Sequence, residues 1–136
     1  MLIYSFHGLL ILLIGLVGGF FQSKAIKSNN GREVAWRVVH SGGSMAGVML
    51  IALSLIVERL NWEESERILY LFCLLAGTYA LVVGMVVAAI TGARGIDKES
   101  RIDLNGKLVS MLYKLGAILT FLTITYLLFK VSMRIF

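Results

Sequence analysis

The amino-acid sequence predicts an all-α integral membrane protein: a single domain, residues 1–136, folded as an up-and-down antiparallel four-helix bundle. Of its residues, 58% are hydrophobic and 15% are charged, whereas roughly a quarter of a soluble domain is charged. The charges avoid four apolar windows, at about 2–21, 38–57, 68–90 and 108–129. The sequence also contains no proline, so uninterrupted helices are expected.

Each apolar window is long enough to cross a membrane as a helix, because about 20 residues span the hydrocarbon core. Strands are excluded, since an open sheet leaves its edge groups unsatisfied in lipid. The alternation of a membrane barrel is also missing. With their polar flanks, the predicted helices lie at about 2–21, 34–58, 66–91 and 107–132. Short connections predict antiparallel neighbours.

The first window is expected to stay in the protein as a helix. A signal peptide needs a basic start and a small-residue cleavage site. The sequence begins MLIYSFHGLL, with no lysine or arginine, and its later GGFFQSKA matches such a site poorly. The stretch SNNG, which follows in the first gap, predicts a turn before the second helix.

The second and third gaps differ in composition. In the second gap, Asn61 is the predicted N-cap of the third helix, with acidic residues in the turn that follows, where they suit the helix dipole. The third gap, TGARGIDKESRIDLNGK, alternates in charge and contains two glycine turns. We expect a solvated loop there, with room for a short surface helix.

The net charge of +5 is placed at the helix ends, which favours lipid headgroups rather than nucleic acid as its partner. The second gap and the C-terminal tail carry few basic residues, and the first and third gaps carry most of them: Lys24, Lys27, Arg32, Arg37, Arg94, Lys98, Arg101 and Lys107. The positive-inside rule then predicts that these two gaps are cytoplasmic and that both termini lie outside. A bacterial inner membrane is the expected location.

Three ionisable residues, His7, His40 and Lys114, fall inside the predicted spans. Such residues are costly in lipid and are functional candidates by default. The long side chain of Lys114 is expected to reach back to the membrane surface. The imidazole of His40 is too short to do so, which makes His40 the leading site candidate.

The helix face around His40 is rich in small residues and admits two interpretations. Either another helix packs on the glycines, with His40 hydrogen-bonding across the contact, or the glycines make room for a flat cofactor that His40 ligates, as imidazole ligates haem iron. In the second case Arg37, which lies nearer the water, can meet a haem propionate. The predicted cofactor-binding residues are Trp36, Arg37, His40, Gly43, Ser44 and Gly47, with His40 as the axial ligand to iron.

The second histidine is not expected to bind the same iron. His7 and His40 lie near opposite ends of the membrane, so their depths differ by roughly 14 Å. Two axial nitrogens are only about 4 Å apart, twice a metal–nitrogen bond. A haem on His40 would therefore keep one open position, and His7 is predicted to be a hydrogen-bond partner at a helix contact.

The stretch WRVVHSGGSMAGVM resembles the second-helix motif of the styrene oxide isomerase family. In that family a tryptophan precedes the histidine by four residues, Ser-Gly follows it, and Gly-x-Met ends the segment. The matching residues are Trp36, His40, Ser41, Gly42, Gly47 and Met49. His7-Gly8, followed by the apolar run to Gly18-Gly19, is similar to the family's first helix, and the four-helix layout agrees over most of the chain.

The resemblance implies a trimer of four-helix protomers that holds haem b near the interface between neighbours. His40 would be its axial ligand. The implied activity is isomerisation of a small apolar epoxide to an aldehyde, with ferric iron as a Lewis acid and no net redox change.

The sequence departs from the family at two polar positions. The family has an asparagine six residues after the histidine, where this chain has Ala46. The family's tyrosine on the third helix aligns near Gly84 or Met85, and Tyr79, more than a turn away, is the one catalytic candidate. Two alternatives therefore stay open: a haem membrane protein without isomerase activity, for gas sensing, haem handling or electron transfer, and a packing subunit without cofactor.

Overall fold

The structure, a computed structural model, describes residues 2–93 and 103–135. These residues form four helices and no strand: α1 (Leu2–Ser28), α2 (Glu33–Glu58), α3 (Glu64–Thr91) and α4 (Leu104–Ile135). Each helix is long and apolar enough to cross a membrane. The predicted all-α four-helix bundle is confirmed. The surface helix considered for the third gap falls on residues 94–102, outside the described ranges.

The first helix continues to Ser28, well beyond its predicted end at about residue 21. Hydropathy marks where lipid ends, whereas backbone hydrogen bonds continue through the polar stretch QSKAIKS that follows. The helix ends where Asn29 and Gly31 adopt positive φ angles of 48° and 72°. This is the turn that SNNG predicts, since asparagine and glycine tolerate the left-handed region best.

The third helix begins later than Asn61 predicts. Its N-cap is Glu63, which has extended backbone and makes no side-chain cap hydrogen bond, so the prediction for Asn61 is wrong. The reason is the end of α2, where the N–H groups of Arg59 and Leu60 still bond to carbonyls of the last turn. Because these two residues still belong to the hydrogen-bonded end of α2, α3 begins further along the chain, after Glu63.

Helices α1 and α2 pack with their backbones in contact, through glycines on both. A Cβ atom on Gly15 would lie 2.3 Å from the amide nitrogen of Ser44, and one on Gly47 would lie 2.6 Å from the carbonyl oxygen of Gly8. Positions rise along α1 as they fall along α2, so the pair is antiparallel. Small residues are the usual means by which membrane helices approach this closely.

Helix α4 lies at the edge of the bundle. It packs on α3 through a second glycine contact, where a Cβ atom on Gly116 would lie 2.9 Å from the carbonyl oxygen of Gly77. Among the described residues, α3 is the one helix whose backbone α4 approaches. A gap is therefore left between α2 and α4. The core fills the other half of the bundle with Ile11, Leu50, Val57, Tyr70, Leu71, Leu74, Val82 and Leu127.

Candidate functional site

The imidazole of His40 is held by a backbone carbonyl of the neighbouring helix. Its Nδ1 atom lies 2.9 Å from the carbonyl oxygen of Gly15. A carbonyl only accepts hydrogen bonds, so Nδ1 carries the proton that is donated. In the neutral ring Nε2 then keeps its lone pair. Histidines that ligate metals usually have this arrangement, with the other ring nitrogen donating to a carbonyl or carboxylate.

Glycines of α1 form the seat for this ring. A Cβ atom on Gly19 would lie 2.9 Å from Nδ1 of His40 and 3.1 Å from Cε1. One on Gly18 would lie 3.0 Å from the backbone nitrogen of His40. A side chain at either position would displace the imidazole or the helix that carries it. The room for His40 is thus made by α1, a contribution that its own sequence motif does not reveal.

The small residues of α2 itself are occupied by helix packing. A Cβ atom on Gly43 would lie 3.0 Å from Cα of Gly15, and Gly47 contacts the same helix further along. The hydroxyl of Ser44 is buried without a hydrogen-bond partner among the described residues. The packing interpretation therefore accounts for these glycines, and a flat cofactor on His40 has to lie on the other flank of the ring.

That flank faces away from α3 and α4. Helix α3 contacts α2 through Gly42, on which the end of the Met85 side chain packs. Positions two apart in a helix point roughly 160° apart, so His40 and Gly42 lie on nearly opposite sides of α2. The side chains of Leu16, Arg37 and Val48 are exposed on this flank. It faces lipid or another subunit.

The aromatic and basic residues before His40 are close to the predicted membrane surface. Trp36 stacks on Phe21 of α1, with ring centroids 4.7 Å apart. Arg37 is exposed, nearly one turn before His40 and nearer the start of the helix. Trp36 and Arg37 thus both lie about one helical turn before His40.

A cleft of about 1290 Å³ opens on the opposite side of α2, in the gap left by α4. The walls are mainly apolar and come from α2, α3 and α4: Val34, Ala35, Val38, Leu81, Met85, Ala88, Tyr113 and Ala117. Arg32 and Glu33 lie at its polar mouth. The guanidinium of Arg32 donates to the carbonyl of Ile90, which ties the start of α2 to the end of α3.

Tyr113 is the residue of this cleft that sequence reasoning missed. Its ring packs against Gly84, where an added Cβ atom would lie 3.1 Å from both Cδ1 and Cε1. Gly84 is one of the two positions with which the family's third-helix tyrosine aligns. The sequence did show a glycine at position 84, which leaves room for a neighbouring side chain. Only the packing of α4 on α3 shows that the ring of Tyr113 fills this room.

Tyr79 is paired with the other histidine. Its hydroxyl lies 2.9 Å from Nδ1 of His7, linking α3 to α1. The prediction of His7 as a hydrogen-bond partner at a helix contact is confirmed. His7 lies about three helical turns from His40, since Gly18, which touches His40, is roughly 16 Å further along α1. Tyr79 is therefore brought to His7 and not to His40.

A comparison with known protein families finds a match. A family model described as "Styrene oxide isomerase" matches residues 3–132, which include most of every helix. A search of the curated proteins finds no match. The four membrane-length helices and the match over nearly the whole chain lead to one conclusion: the chain belongs to the styrene oxide isomerase family and is a membrane protein related to styrene oxide isomerase.

Proposed function

We propose that this protein binds haem b through His40 and isomerises a small apolar epoxide to an aldehyde. The observation that carries the proposal is the hydrogen bond from Nδ1 of His40 to the carbonyl of Gly15, which leaves Nε2 as a ligand on an exposed flank. The residues present fit the group. Imidazole is a common axial ligand, and the glycine seat at Gly19 orients its ring.

The neighbouring side chains would complete the haem site. Arg37 is exposed near the start of α2 and would pair with a propionate, since guanidinium and carboxylate form strong two-pronged hydrogen bonds. Trp36, held in place by its stacking on Phe21, would cover one edge of the haem. When bound, ferric haem supplies a Lewis acid to the epoxide oxygen.

The two faces of the protomer support an active site shared between subunits. The flank of His40 and the cleft lie on opposite sides of α2, yet at a similar depth, because Val38 of the cleft precedes His40 by two residues and Met85 of the cleft packs on Gly42, two residues after it. Rotation about an axis along the membrane normal preserves depth. In a ring of protomers, each His40 flank would therefore meet the cleft of the next copy, as in a cyclic trimer.

In this arrangement the cleft would hold the organic part of the substrate. During isomerisation one C–O bond of the epoxide breaks, a hydride moves to that carbon from its neighbour, and a carbonyl forms, so all atoms and electrons stay in the molecule. Apolar walls such as Leu81 and Met85 would exclude the water that could otherwise give a diol. The Tyr113 hydroxyl would donate a hydrogen bond to the oxygen as its charge develops.

A second candidate is a haem membrane protein that lacks isomerase activity. Ala46 favours it, because this position packs on the apolar core and offers no polar group. The two candidates differ in one observable: the first makes aldehyde from an epoxide, and the second holds haem without doing so.

An assay of ferric protein with an aryl epoxide tests the proposal. We expect wild type to form aldehyde, His40→Ala to form none, and Tyr113→Phe to lose roughly a hundredfold in rate while keeping its haem. Tyr79→Phe is the matched control, because its hydroxyl bonds to His7, and it should stay near the wild-type rate.

Co-expression of the two variants tests the shared site. Neither protomer alone has both His40 and Tyr113, but random assembly of the two variants in equal amounts places an intact His40 beside an intact Tyr113 at about a quarter of all interfaces. We expect about a quarter of the wild-type rate. A mixture no more active than Tyr113→Phe would reject the shared site, and a haem-containing wild type that forms no aldehyde would favour the second candidate.

A further inference from the structure

The outer face of α4 carries two lysines over an apolar hollow. The hollow measures about 580 Å³ and is lined by Lys107, Ser110, Met111, Lys114, Leu115 and Ile118. These positions recur every three or four residues, so they share one helix face. Gly116, which packs on α3, lies on the opposite face. The lysines are therefore directed away from the rest of the protomer.

Lys114 starts from a position inside the predicted apolar span, so its charge needs a route to the surface or an anionic partner. It is roughly 9 Å inside the apolar window that begins at residue 108. The two ion pairs of the described residues involve Arg67 and Lys130, so no carboxylate in those ranges neutralises Lys114. A charged side chain in lipid is stabilised by reaching the surface or by an anionic partner.

The spacing of the lysines suits a single anion between them. Lys107 and Lys114 are two helical turns apart, roughly 10 Å along the axis, and their flexible side chains can converge from above and below. Ser110, which is largely buried, lies between them in position on the same helix face. Met111, Leu115 and Ile118 continue the hollow with exposed apolar surface. A phosphate joined to an acyl chain matches this order of groups.

We propose that this face of α4 binds an anionic phospholipid. The headgroup phosphate lies between the ammonium groups of Lys107 and Lys114, and an acyl chain runs along Met111, Leu115 and Ile118. Charge complementarity selects an anionic lipid over a zwitterionic one. The site shares no residue with the cleft or the flank of His40, so the inference stands whether or not the protein binds haem.

Native mass spectrometry of detergent-purified protein tests the proposal, with phosphatidylglycerol, phosphatidylcholine and inorganic phosphate as separate probes. We expect wild type to bind phosphatidylglycerol most tightly. The double variant Lys107→Gln/Lys114→Gln should bind it roughly 30-fold more weakly, as expected for two lysines near a charged headgroup. The matched control, Lys24→Gln/Lys27→Gln at the end of α1, removes the same charge and should change binding less than threefold.

A further variant keeps the test valid if the double variant folds poorly. Lys114→Arg keeps the positive charge and should retain phosphatidylglycerol binding, whereas Lys114→Gln alone should weaken it. Equal loss in the two double variants would overturn the proposal by showing that total charge alone acts. Equal binding of phosphatidylcholine, or binding of inorganic phosphate as tight as that of the lipid, would also overturn it.

Discussion

At the scale of single residues, a carbonyl oxygen decides what His40 can do. The hydrogen bond to Gly15 assigns the proton to Nδ1. It thereby orients the ring of a residue that is costly in lipid and leaves the lone pair of Nε2 free to bind a metal. The sequence made His40 the leading site candidate and predicted that it lies at a different depth from His7, because depth in a membrane follows from position along a helix. The carbonyl partner could not be predicted, since it depends on the register between two helices.

The glycine beneath the imidazole provides the residue-scale prediction. Gly19→Ala would place a Cβ atom 2.9 Å from Nδ1 of His40, so the ring must shift and its bond to Gly15 weakens. Loss of such a supporting bond costs roughly 10- to 100-fold in metal affinity. The haem content of purified Gly19→Ala protein should fall accordingly, measured as haem per protomer.

The control for this variant is Gly42→Ala on the facing helix. There the added Cβ atom would meet only the end of the Met85 side chain, which is flexible and can move aside. Its haem content should match that of wild type. An unchanged haem content per protomer in Gly19→Ala would show that the glycine beneath the ring does not support haem ligation by His40.

At the scale of helices, close contact between α1 and α2 shapes the site. The small residues at positions 43 and 47 predicted a packing face, and the structure fills it with α1. The sequence could not show which occupant was correct, because a helix backbone and a flat cofactor need the same absence of side chains. The deciding feature lies elsewhere in the chain, in Gly8 and Gly15, whose contacts are non-local.

This contact predicts a stability effect. In Gly47→Ala the new Cβ atom would lie 2.6 Å from two backbone atoms, the oxygen of Gly8 and the nitrogen of Leu12. Backbone cannot move aside as a side chain can, so the helices must separate. We expect the free energy of unfolding in micelles to fall by about 1–3 kcal/mol.

The neighbouring residue offers the matched comparison for that measurement. Val48 follows Gly47 on α2 and is 56% exposed. Val48→Ala should change the free energy of unfolding by less than about 0.5 kcal/mol. Equal losses in the two variants would mean that the α1–α2 contact is not the source of the effect.

At the scale of the whole molecule, the fold class followed from the sequence because four apolar windows admit few other solutions in lipid. The placement of α4 did not follow, since hydropathy is nearly the same on all sides of a membrane helix. In the part of the chain that the structure describes, the backbone of α4 approaches that of α3 and of no other helix, which opens the cleft and brings Tyr113 into it. The predicted helix ends were also inexact, as Ser28 and Glu63 show, because a helix ends where its backbone hydrogen bonds stop and not where the sequence becomes polar.

The two histidines have separate contacts and are therefore structurally independent of each other. The ring of His40 is seated on Gly19 and bonds to Gly15, whereas His7, roughly 16 Å away along α1, bonds to Tyr79 of α3. One histidine can therefore be removed while the other keeps its contacts. This independence allows a single comparison to test the assignment of the ligand.

The most direct test is the absorption spectrum of detergent-purified wild type, His40→Ala and His7→Ala. We predict a Soret band in wild type and in His7→Ala, and its loss in His40→Ala. A wild type without a Soret band, or a band that persists unchanged in His40→Ala, would contradict haem ligation by His40.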